Sequence, residues 1–233
     1  FWMKTTQVAG SSTQWYGGCG LVDAEVGGVT SDFGTSLVDN RVAFGIGQPD
    51  VTIFSTSSVN TGNWVHVAAT WKQSTGQMRL YINGTLEASG TSGTGSRSAP
   101  SGLRVGSLFT NIQYYNGSLD EVRIWNKALE GCQINALKNT ELSTPQPGLV
   151  AYYRFNQGIA DGTNTGTTTL TDSSGNNYNG TLSNFALTGT TSNWITPGGV
   201  VSGSIQPPYS SYSYSGTHTV TACNSYVFNG ITY

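Results

Sequence analysis

The sequence predicts an all-β chain folded as an antiparallel β-sandwich, on three observations. Short runs of alternating apolar and polar residues recur, separated by Gly, Asn, Ser and Thr turns. One pair of runs is joined by Asn83-Gly84, the dipeptide that best supports a tight type I′ hairpin turn. Helical periodicity is almost absent. Composition agrees. Only 9% of the 233 residues are charged, against roughly 25% in an average domain. The 6 Trp and 12 Tyr supply material for a core, which separates the chain from disordered segments of high charge and few aromatics.

Phe1-Trp2-Met3-Lys4 opens a strand over 1–6, and further strands are predicted at 19–26, 33–38, 41–46 and 51–55. Trp64 to Trp71 alternates with period two, so Val65, Val67, Ala69 and Trp71 share one face and Trp64, His66, Ala68 and Thr70 the other. Met78 to Ala88 forms the Asn-Gly hairpin. Later strands are predicted at 103–108, 119–125 and 149–155. One short helix is predicted from Leu129 to Leu137, about two turns and so a connector.

These elements divide into a sandwich over 1–145 and a β extension over 146–197, whose stretch 158–180 reads as a long surface loop with Asp172 bonding its own backbone. A Gly/Ser/Pro/Tyr-rich linker comes next over 198–219. Strand-like alternation resumes over 220–233 as the start of another β module. Both ends fall inside strand-like runs, so the chain is expected to be a piece of a longer one. The cysteines are Cys19, Cys132 and Cys223, an odd number. Cys19 with Cys132, two free thiols, and a partner of Cys223 beyond the chain all stand as readings.

Composition also excludes partners. With a net charge of −2 and no basic block, nothing favours nucleic acid. No apolar run approaches the roughly 18 residues of a membrane span. No zinc-ligand, P-loop or nucleophile-elbow motif is present.

Two segments carry a resemblance. They are Gly62-Asn63-Trp64-Val65-His66-Val67-Ala68-Ala69-Thr70-Trp71 with Leu80-Tyr81-Ile82-Asn83-Gly84, and Asn116 through Asp120-Glu121-Val122-Arg123-Ile124-Trp125 to Leu129. Together they resemble the laminin-G-like, concanavalin A-like jelly roll of large bacterial surface or secreted proteins. The resemblance covers about 1–142 and implies that the family's first strand lies upstream of Phe1. Gly148 to Asn184 resembles a unit that accompanies such domains. The fold hosts lectins, spacers, adhesion modules and glycoside hydrolases, so it transfers no single function.

The resemblance implies calcium at the sandwich rim, with Asp32 as the carboxylate and Asn111 as the second ligand from the loop after Val105-Gly106. That loop lacks an aspartate, and calcium wants six to eight oxygens, so the implied site is weak. The alternative has Asp32 capping a turn. Exposed aromatics are sugar platforms. The pairs Trp15-Tyr16 and Tyr114-Tyr115, in loops, are candidates for carbohydrate binding, against the alternative that each ring packs over its own loop. Asp23 and Glu25 share a strand face about 6.5–7 Å apart, within the spacing of glycoside hydrolysis. The related glucanase motif has a leading glutamate that this chain lacks, so two plain polar positions are the favoured reading. Asp120 shares a face with Val122 and Ile124 and is expected to bond backbone amides of a neighbouring loop. His66 is a sheet-face residue, and His218 lies in the linker. Asn83, Asn116 and Asn179 match the glycosylation pattern but read as Asn-Gly turns.

The expectation is a non-enzymatic binding module of an extracellular multidomain protein. It would act in adhesion or carbohydrate recognition through rim loops, with structural Ca2+. Its partners would be a cell-surface glycan and neighbouring domains of the same chain, with no nucleic acid and no membrane insertion. A ligand-free spacer and a glycoside hydrolase are the rivals.

Overall fold

The structure, a computed structural model, describes residues 1–110, 113–206, 227–228 and 231–232. Two five-stranded sheets form the sandwich. The first holds β1 (Trp2–Lys4), β6 (Val65–Lys72), β7 (Gln77–Ile82), β8 (Thr85–Thr91) and β10 (Ser118–Asp120), in the order β10-β1-β6-β7-β8. The second holds β2 (Cys19–Ala24), β3 (Phe33–Val38), β4 (Arg41–Ile46), β5 (Val51–Phe54) and β9 (Arg104–Val105), in the order β5-β4-β3-β2-β9. All pairings within both sheets are antiparallel.

Alternation puts one face of each sheet into a common core. Met3, Val65, Val67, Met78, Leu80 and Ile82 come from the first sheet, and Leu21, Leu37, Val42, Phe44 and Ile46 from the second. Removing such side chains from water is the main favourable term in the fold. Asn83 and Gly84 both take positive φ, 52° and 86°, as the predicted hairpin turn requires. His66 sits on the opposite face of β6, buried edge-on against Trp2 at 5.4 Å between ring centroids. Burial, with positive neighbours, holds its imidazole well below the usual range, so it is neutral.

The second sheet departs from simple alternation at its outer face, which is also buried. A 3₁₀ turn at Trp15–Gly17 folds back over it, and Trp15 packs with Val38, Ala43, Tyr16 and Phe54. Gly34 and Gly45 face each other across β3 and β4 and leave the seat for that indole. A Cβ at Gly45 would overlap the ring.

The predicted helix is α1 (Gly131–Leu137), opened by a capping box between Glu130 and Gln133. β11 (Val122–Trp125) pairs with β13 (Leu149–Tyr153) rather than with either large sheet. Around them Tyr152, Leu142 and Leu149 pack with Trp125 and Leu137 in a second core. There the Tyr152 hydroxyl donates to Glu121 at 2.5 Å, and Glu121 also pairs with Arg123. Asp172 accepts from the Tyr152 and Ser174 amides at 2.9 and 2.8 Å and from the Tyr178 amide at 2.9 Å. The 158–180 stretch is thereby tied to β13. At its end β14 (Thr169–Leu170) pairs with β15 (Gly180–Thr181).

The linker expectation changes, and one of the open cysteine readings closes. The linker predicted from residue 198 begins docked. The Gly199 and Val200 amides donate to Asp120 Oδ2 at 2.8 and 3.2 Å, Val200 is buried, and β16 (Ile205–Gln206) runs parallel to β12 (Glu141–Leu142). Cys19 is a buried free thiol, so a Cys19–Cys132 bridge does not form. Val227–Phe228 pairs with Ile231–Thr232, and Asn111, His218, Cys223 and most of the predicted further module lie outside the described residues. Among the described residues no helix is long and apolar enough to cross a membrane.

Candidate functional site

The site is built at one end of the outer face of the second sheet. In β2 the register slips between Gly20 and Val22. Thr35 heals the slip, its hydroxyl donating to the Val22 carbonyl at 3.0 Å and accepting from the Val22 amide at 3.1 Å. A bulge re-aims the side chains beyond it. Asp23 faces outward beside Trp15, across from Gly34. Glu25, two residues on, continues toward the rim.

Asp23 is fully buried. Its Oδ2 accepts from the Phe109 amide at 2.8 Å and the Glu25 amide at 3.2 Å. It pins the 107–110 loop to β2, with no room to meet a substrate. Burial pushes its carboxyl up to about 6. Glu25 is pushed further, to about 7, by burial and then by the neighbouring charges of Asp23 and Asp32. Asp32 accepts from the Val26 amide at 2.8 Å through Oδ2, closing the 26–32 turn. That is the capping role. Its other oxygen, Oδ1, has no hydrogen-bond partner, and neither has Glu25 Oε2 or Asp23 Oδ1.

Glu25, Asp32 and Asp50 line one pocket of about 270 Å³ with Trp15, Tyr16, Gly28 and Val29. The Tyr16 ring is half-buried, and Trp15 meets it edge to face at 4.9 Å. Such contact fixes the plane of an aromatic ring. The Tyr16 hydroxyl is raised by burial and by Asp50, Glu25 and Asp32, which places it within the field of all three carboxylates. Two residues assigned to separate chemistries, Tyr16 for sugar and Asp32 for metal, thus meet in one pocket. Asp50 joins them. It comes after Gly47-Gln48-Pro49 in a turn, and no sequence pattern marked it.

The other aromatic candidates disperse. Trp15 is 1% exposed, because the Gly34–Gly45 seat takes the whole indole, and it cannot offer a face to a sugar. Tyr115 packs against the main core, and its hydroxyl donates to the Lys4 carbonyl at 3.0 Å. Tyr114 is 58% exposed but is not part of the Tyr16 pocket. Asp120 accepts from the Glu121, Gly199 and Val200 amides, the backbone-binding role expected of it.

Calcium can be tested against these donors. Among the described residues no three His, Cys, Asp or Glu side chains converge as a ligand set. The orphaned buried oxygens of Glu25 and Asp32 nonetheless suit a hard cation, which needs oxygen ligands and completes its shell with carbonyls and water. Two carboxylates fall short of the six to eight oxygens such an ion takes, so any site here would have to be completed by carbonyls and water.

A family model described as the Concanavalin A-like lectin/glucanases superfamily matches residues 1–135. Among curated proteins, the chain is 28% identical over 171 residues to a rat protein. That protein is named sushi, von Willebrand factor type A, EGF and pentraxin domain-containing protein 1. The match takes in 68% of this chain and 4% of the relative. It is 41% identical over 70 residues to human adhesion G-protein coupled receptor D1, 28% of this chain and 8% of that protein. The chain therefore spans a small fraction of either relative. A solved structure from Bacteroides ovatus, assigned provisionally to carbohydrate binding, superimposes with a TM-score of 0.58 at 17% identity. It covers 77% of this chain and 49% of its own, a likeness of fold.

Proposed function

Because the chain belongs to the Concanavalin A-like lectin/glucanases superfamily, we propose that it is a non-catalytic binding module of an extracellular multidomain protein that recognises carbohydrate at the Tyr16 pocket, with calcium held by Glu25 and Asp32. The observation that carries the reading is the juxtaposition of a braced aromatic ring with buried carboxylate oxygens that lack partners. A pyranose face lies flat on such a ring, while its hydroxyls donate to carboxylates or coordinate a cation. Calcium would supply positive charge that allows Glu25 to ionise at neutral pH. Asp32 would keep the 26–32 turn in place, and Asp50 would border the pocket.

A hydrolase needs two carboxylates flanking the scissile bond. Asp23 is closed off beneath the 107–110 loop, so it and Glu25 do not flank a common bond, although Asp32 and Asp50 share the pocket with Glu25. This geometry disfavours catalysis by the Asp23–Glu25 pair.

The test is retention on a panel of immobilised glycans in calcium. Binding should be lost in Tyr16→Ala and kept in Tyr114→Ala, with both variants folded by circular dichroism. Retention that survives Tyr16→Ala would move the site elsewhere. No retention at all would leave the ligand-free spacer.

A further inference from the structure

The Tyr16 pocket carries charge of one sign. Glu25, Asp32 and Asp50 line it, and among the described residues no Lys, Arg or His does. Arg97 lies within the field of Asp32, but its guanidinium is held elsewhere. Its Nη1 donates to the Gly47 carbonyl, and its Nε and Nη2 donate to the Gly95 carbonyl at 3.0 and 2.8 Å. The group also sits 4.9 Å from the centre of the Trp71 ring. Glu25 and Asp32 are 6% and 2% exposed, and Glu25 Oε2 and Asp32 Oδ1 have no hydrogen-bond partner. Carboxylate oxygens buried without a partner destabilise the site, and a positive group entering the pocket relieves that cost.

Asp50 differs from the other two. It is exposed, and of the three carboxylates it acts most strongly on the Tyr16 hydroxyl. Calcium held by Glu25 and Asp32 would offset two of the three negative charges and leave that of Asp50 for the sugar. Beside Tyr16 the wall is apolar, with Val29 77% exposed. The volume of about 270 Å³ falls just below the roughly 300–1,000 Å³ of sites for drug-sized ligands, so the pocket suits a single sugar ring.

We infer that this ring is an amino sugar with a free ammonium, lying on Tyr16 and Val29 with its nitrogen donating to Asp50. The inference rests on the carbohydrate reading of the Tyr16 pocket and adds the class of sugar. An ammonium has three donors and no acceptor, which matches carboxylates that only accept. Charge-assisted bonds of this kind are about twice as strong as neutral ones. Acetylation of the nitrogen removes the charge and turns a carbonyl toward oxygens that cannot donate to it. An acidic sugar adds a further negative charge to the pocket and is rejected by repulsion.

The experiment measures binding of the 233-residue chain, in calcium, to three disaccharides. One is β-linked glucosamine with free amines, one is its N-acetylated counterpart, and one ends in a uronic acid. The free amine should bind about tenfold or more tighter than the acetylated form, and the uronic acid should bind most weakly. Asp50→Asn, in an exposed turn, should weaken binding of the free amine by about tenfold. Tyr16→Ala keeps every charge and should abolish binding. Equal binding of the free and acetylated forms, lost in Tyr16→Ala, overturns the inference and leaves the carbohydrate reading standing. So does a preference for the amine that Asp50→Asn does not touch. Amine binding that survives Tyr16→Ala is general attraction to the chain's negative charge and overturns both. Lysine amide bound as tightly as the disaccharide would make the pocket one for a protein side chain and overturn both. Binding to none of the three overturns the inference, and the glycan panel then decides the carbohydrate reading separately.

Discussion

Glu25 is the residue on which the site's chemistry turns. Its carboxyl titrates near 7 in the folded chain and near 4.5 when exposed. A raised acid binds more protons folded than unfolded, so it costs the fold nothing below about 4.5. Its penalty grows as pH rises toward 7 and is constant above. His66 and the Phe1 amine titrate with the opposite sign over part of that window, so the effect is read as a difference between variants. Glu25→Gln should match the parent chain at pH 4.5 and be more stable by pH 8, and equal stability at both values would remove the account of its burial. Asp120 tests a second buried carboxylate. Asp120→Ala strands the Gly199 and Val200 amides and should cost about 1–3 kcal/mol by denaturant unfolding. A change within error would mean the 199–200 docking contributes nothing. The backbone-binding role of Asp120 was legible in the sequence, but the shared face with Val122 and Ile124 was not the reason, because the expected 119–125 strand breaks at Glu121, whose φ is 52°. Asp50 was not legible, since its role depends on where a turn brings it.

At the scale of elements, the Asn83-Gly84 hairpin and the alternation of β6 came from local chemistry alone. The burial of Trp15 did not. It depends on Gly34 and Gly45 being neighbours across β3 and β4, a register the sequence carries as Phe-Gly-Thr and Phe-Gly-Ile without showing their alignment. An aromatic in a Gly/Ser loop reads as exposed until the seat is known. Gly45→Ala should therefore displace Trp15 and lower stability by about 1–3 kcal/mol, with loss of any binding at Tyr16. A variant of unchanged stability would mean the indole is not seated there. Gly84→Ala tests the hairpin independently. Its φ of 86° and its approach to the Asn135 side chain predict a loss of about 1–2 kcal/mol by the same measurement.

At the scale of the whole molecule, two sheets supply one core and α1, β11 and β13 supply a second. The sandwich was legible because period-two patterns decide burial face. The attachment of the extension was less so, because it runs through single buried polar groups, Glu121, Asp172 and Asp120, whose partners are distant in sequence. The site is likewise a product of the assembly, with Tyr16 from a loop, Glu25 past the end of β2, and Asp32 and Asp50 from two turns.

That convergence is tested most directly by titrating calcium into the chain and monitoring backbone amide resonances. The account predicts saturable shifts confined to Tyr16, residues 25–32 and residues 47–50, lost in Asp32→Ala and reversed by chelator. Shifts centred elsewhere, or none at millimolar calcium, would contradict it.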